Sequence, residues 1–88
     1  MTDAEKARQV RLIATVAGIL SRHVGAVAAL ECASNAIHAA QFGVSLSVAL
    51  DAAICHRVAH PKTWPDWECI TNGDVSSMVK RVEEVLPC

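Results

Sequence analysis

Tyrosine is absent from this chain of 88 residues, and the only aromatic side chains are Phe42, Trp64 and Trp67. No proline occurs before Pro61. Between Leu12 and His56 the formal charges are Arg22, Glu31 and Asp51 alone. Each shortage excludes something. Without aromatics, the core must be filled by Ala, Val, Leu and Ile, and elements so thinly clothed have to approach closely. Without proline, nothing of that kind interrupts a helix over the first sixty residues. Charge of one sign never accumulates, and the formal net charge is −1. That excludes the basic stripe by which nucleic-acid binders hold phosphates, so no nucleic-acid partner is expected.

Catalytic signatures are missing as well. The chain has no Gly-rich loop to cradle phosphate and no C-x-x-C pair. Glu31 and Asp51 are the only acids of the apolar run, which leaves no paired carboxylates for acid–base work. Cys69 with His60 is the one Cys/His pair able to meet, and nothing marks an oxyanion hole beside it. The expectation is a protein that is not an enzyme and carries no cofactor.

A membrane span needs about 20 mostly apolar residues. The uncharged windows Leu12–Ser21, Val24–Leu30 and Cys32–Leu50 are too short or too polar, and Arg22 with His23 divides the most apolar candidate. No membrane partner is expected. The opening Met-Thr-Asp-Ala-Glu-Lys lacks the n-region and apolar run of an export signal. A cytoplasmic location with reduced thiols follows as the expectation for Cys32, Cys55, Cys69 and Cys88, with Cys32 and Cys55 read as core thiols.

What the chain does have is helical periodicity. Thr2 and Glu5 fit a capping box at the start of a first helix. Beyond it, Val10, Ile13, Ala17, Leu20, Val24 and Val27 recur at three- and four-residue steps, a heptad-like seam. A second seam runs through Leu12, Val16, Ile19, His23, Ala26, Leu30, Ala33 and Ile37. A third stripe holds small residues, Ala14, Gly18, Ser21, Gly25, Ala28 and Cys32. Three stripes exceed the roughly 100° apolar face of a surface helix. Ala14, Gly18, Ser21, Gly25 and Ala28 are therefore assigned to an interface between copies.

The spacing predicts a turn near Ser21–Gly25; the alternative, one unbroken helix over 4–41, would be a rod of about 57 Å. Gly43 stops the second segment, Ser45 or Ser47 caps the third, and His60-Pro61 ends it. A loop follows, then a last amphipathic helix capped by Thr71 or Asp74 and closed by Pro87. The reading is all-α: one domain over 1–88, a small bundle of about four helices (3–22, 25–42, 46–59 and 73–86, with a loop over 61–72), close-packed at its N-terminal helices and oligomeric.

Two constellations stand out in what remains. Trp64-Pro65-Asp66-Trp67 places two indoles in a proline-stiffened loop, and Trp is enriched at binding hot spots. Trp64, Trp67, Asp66 and Lys62 are the expected contacts to a protein partner. The competing expectation is that the indoles fold back and plug the bundle, with one Trp inside and one partly exposed as the mixed outcome. His56 and His60, four apart on one helix face, form an alternative metal site with Cys69, completed by Cys88 or Asp66. The spacing matches no zinc-finger pattern, and two histidines at a helix C-terminus also suit its dipole.

In size and composition the chain resembles the small inhibitors encoded by phages and mobile elements, a likeness no motif carries. The leading functional expectation is a non-enzymatic protein–protein interaction module. A metal- or ligand-binding module and a structural subunit of a larger assembly, such as a phage particle, are the competing classes.

Overall fold

Thr2 begins the first helix as expected, its hydroxyl accepting the Glu5 N–H at 3.2 Å. In the computed structural model, which describes residues 2–86, helix α1 spans Asp3–Leu20, α2 Ala26–Ala40, α3 Leu46–Ala59 and α4 Asn72–Val85. One turn of 3₁₀ helix, Pro65–Trp67, interrupts the loop before α4. No strand occurs among the described residues, and none of their helices is long and apolar enough to cross a membrane.

The N-terminal segment is a hairpin. A 57 Å rod would exceed the molecule's longest dimension of 38 Å. Helix α1 unwinds through Ser21–Val24, where the amides of His23 and Val24 both reach back to the Leu20 carbonyl. Gly25 then starts α2 from an extended conformation without a side-chain cap. At the next turn Gly43 takes φ +92°, the left-handed region that favours glycine. Ser45 caps α3 by accepting the Val48 N–H at 3.3 Å.

The complete capping box lies at α4. Thr71 accepts the Asp74 N–H, and the Asp74 carboxylate accepts the Thr71 N–H at 3.0 Å. That backbone bond, with the Thr71 hydroxyl and nearby His23, holds the Asp74 carboxyl below its ordinary pKa. His23 Nδ1 lies 3.8 Å from Asp74 Oδ1 and ties the α1–α2 turn to the start of α4.

Helix α2 packs against both α1 and α3, while α4 rests mainly on α3 and lightly on α1. The face α2 buries is built of Ala28, Ala29, Cys32, Ala33 and Ala36 with Ile37. The bulk of the core comes from elsewhere: Leu20, Leu50, Ile54, Met78 and, from the loop, Trp67.

This arrangement alters the small-residue assignment. Ala14, Gly18, Ser21 and Gly25 are exposed, whereas Ala28 and Cys32 are buried inside the protomer. The stripe was drawn on one continuous helix, and the turn at 21–25 resets the helical phase. The two apolar seams are also only partly buried: Val10, Val27 and Leu30 face solvent, while Ala33 and Ile37 face the core.

Among the described residues outside its own helical turn, nothing lies within 4 Å of a Cβ added at Gly18. Gly18→Ala should therefore raise the unfolding free energy by about 0.5–1 kcal/mol, the helix-propensity gain. Urea denaturation followed by circular dichroism measures it, and a lower midpoint would reveal a neighbour packed on this glycine.

Candidate functional site

The loop after α3 folds back. Trp67 is 1% exposed and sits in the core, so it is not available to a partner. Its indole supplies volume to a core otherwise made mostly of small aliphatic side chains; an aromatic side chain buries about 150–250 Å². Among the described residues the Trp67 Nε1 has no hydrogen-bond partner.

Trp64 is half-buried against the end of α3. Its ring lies edge-on to His56 at 4.9 Å, and the Arg57 guanidinium carbon stands 5.1 Å from its centre. Of the four residues expected to contact a partner, only Asp66 and Lys62 are fully exposed. They flank a Trp64 already held by its own protein.

His56 and His60 are neighbours, with ring centroids 4.5 Å apart. The His60 Nδ1 is engaged with the His56 carbonyl at 2.8 Å. Cys69 does not join them: among the described residues no group of three or more His, Cys, Asp or Glu side chains is arranged to hold a metal ion. Cys88, the other proposed ligand, lies outside the described residues. Arg57 is 4% exposed, donates to the Ala53 carbonyl at 3.2 Å, and leaves its Nε unpartnered.

Two of the thiols, Cys32 and Cys55, lie in contrasting environments. Cys32 is a core thiol as expected, and burial pushes its pKa up to about 11 against the opposing pull of Arg57. Cys55, read from sequence as buried, is exposed: it sits on the outer side of α3, 3.9 Å from Asp51 Oδ1. Slight desolvation, followed by the Asp51 charge and hydrogen bond, raises its pKa too. Neither environment favours the thiolate a nucleophilic cysteine requires.

The most exposed large apolar side chain among the described residues is one the sequence singled out only as a rare aromatic. Phe42 is 77% exposed on the α2–α3 turn, with Val44 and Val48 also open to solvent just after it. The left-handed Gly43 and the Ser45 cap fix the turn on one side. On the other, the Phe42 ring rests edge-on against His38, centroids 5.4 Å apart. The available signal was the lone Phe beside a glycine in a chain nearly free of aromatics.

Comparison with protein-family models, with curated proteins and with solved structures returns no significant match.

Proposed function

We propose that this chain is a non-enzymatic module that binds another protein through the Phe42 turn. The observation that carries this reading is a large apolar side chain held out on a braced turn. Rigid aromatic side chains supply binding area at little conformational cost, which is why they anchor interfaces. Val44 and Val48 extend the same surface along the chain. The Phe42 turn replaces the Trp64–Trp67 loop as the contact region because Trp67 is already used as core. An inhibitor acting in the cytoplasm by occluding its target is the form of this module that size and composition favour.

Self-association belongs to the same reading. Val27 and Leu30, a turn apart on α2, are exposed and apolar. They offer a better contact between copies than Gly18 and Ser21, which carry little apolar surface.

A photoreactive phenylalanine analogue placed at position 42, with a control at exposed Lys80, tests the reading in cells of the native host. The expected result is an adduct of discrete mass from position 42 alone. Excess unlabelled protein should compete it away, and excess Phe42→Ala/Val48→Ala protein should not. An adduct whose second component is this chain itself would identify the Phe42 turn as the contact between copies. Equal labelling from both positions would sink the assignment.

A further inference from the structure

Arg8, Arg11, Leu12 and Thr15 follow one another at helical spacing and share one stripe of α1. Together with Leu86 at the end of α4 they line an open cleft of about 430 Å³. A second cleft, of about 230 Å³, shares Arg8 and Leu12 with it and is floored by Ile37, Ala40 and Leu46. A third, of about 80 Å³, shares Leu86 with the first and Leu46 with the second. The three meet around Leu12, Leu46 and Leu86, half-buried side chains from three different helices. The first cleft lies between α1 and the end of α4, two elements in light contact.

The lining restricts the chemistry of an occupant. No aromatic ring borders any of the three clefts, so a flat aromatic ligand finds nothing to stack on. The only charged groups of the largest cleft are Arg8 and Arg11, and neither is in an ion pair among the described residues. A cation would be repelled, and a neutral chain would leave both guanidiniums unused. The Thr15 hydroxyl is occupied by the Arg11 carbonyl at 2.9 Å. Glu5 borders the second cleft and Glu83 the third, so a negative headgroup is turned away from those ends. Guanidinium groups match carboxylates in bidentate geometry. The largest cleft falls in the range of about 300–1,000 Å³ usual for small-ligand sites, which are apolar with a few placed polar groups.

We propose that this cleft binds a saturated alkyl carboxylate. Its chain lies over Leu12 and Leu86 toward Leu46, and its carboxylate faces Arg8 and Arg11. Phe42 itself lines none of the three clefts.

Decanoate, below its micelle concentration, is the probe. Titration into the isotope-labelled protein should give saturable amide shifts confined to α1 around Arg8–Thr15, the end of α4 and the start of α3. Decanol, of the same chain length, should bind at least about tenfold more weakly, the step one charge-assisted hydrogen bond provides. Decyltrimethylammonium should give no saturable shift. Arg8→Gln/Arg11→Gln, substitutions at exposed positions whose helicity circular dichroism verifies, should lose decanoate affinity by a similar factor. Phe42→Ala should leave it unchanged, which separates this site from the protein-binding reading. Decanol binding as tightly as decanoate, an unaffected double variant, or shifts centred on Val27 and Leu30 would each overturn the proposal.

Discussion

Trp67→Ala should lower the unfolding free energy by about 3–5 kcal/mol, the usual cost of truncating a buried aromatic. The indole is the largest fully buried side chain in the molecule. It arrives from a loop rather than a helix, so no neighbouring residue of the same element can slide into its place. At roughly 0.05–0.15 kcal/mol per residue, a chain of this length has about 4–13 kcal/mol in total. The substitution therefore removes a large share of it, and at the lower end leaves the protein unfolded at 25 °C. Trp64→Ala is the comparison: its ring is half-exposed, and the loss should be about 1 kcal/mol. Trp67→Phe should retain most of the stability, since it keeps an aromatic filler and also removes the unpartnered indole N–H. Urea midpoints by circular dichroism order the three variants. Equal midpoints for the two alanine variants would show that Trp67 does not plug the core.

Ala33→Leu is expected to cost about 1–3 kcal/mol through overpacking, or more if α2 has to shift. Ala33 is fully buried, on the helix that lies between α1 and α3. With Ala29, Ala36 and Cys32 it makes a face on which neighbouring backbones can come close, and three extra carbons have nowhere to go. Leucine and alanine have similar helix propensities, so the loss would report packing alone. Ala39→Leu, on the exposed side of the same helix, is the control and should change stability by less than about 0.5 kcal/mol. A midpoint for Ala33→Leu within that margin would mean that α2 has room on its buried face.

These two residues show where the sequence was legible and where it was not. That small residues allow close helix packing was readable, but which small residues do so was not. Periodicity is a property of one helix, and it carries no phase information across a turn. Once the chain reverses at Ser21–Gly25, a stripe drawn through Gly18 and Ala28 joins residues that face different surroundings. Cys55 was misplaced for a related reason: a small thiol suits a buried site or a surface one equally, and the rotation of α3 decides. The Trp64–Trp67 loop carried two opposed readings, anchor and plug. Only the return of the loop onto the core decided between them for Trp67.

The Phe42 turn and the cleft at Leu12, Leu46 and Leu86 are further cases. Phe42 lies next to a glycine whose backbone preference was plain from sequence. Its exposure, however, follows from how α2 and α3 pack. The cleft joins residues separated by more than seventy positions, and the light α1–α4 contact beside it has no sequence signature.

By itself the sequence determined that the chain is helical and roughly where its helices start and stop, while the structure chose the hairpin over the rod and Ser45 and Thr71 as the caps. The starts and stops follow from local chemistry: hydroxyl and carboxylate caps at Thr2, at Ser45 or Ser47 and at Thr71 or Asp74, a glycine at 43, a proline at 61, and apolar residues at helical spacing between them. The tertiary structure alone decided which faces those helices bury, which tryptophan is core, and which surfaces are left for a partner or a ligand. Those depend on contacts between residues far apart in the chain, where burying apolar area and filling volume outweigh any local preference.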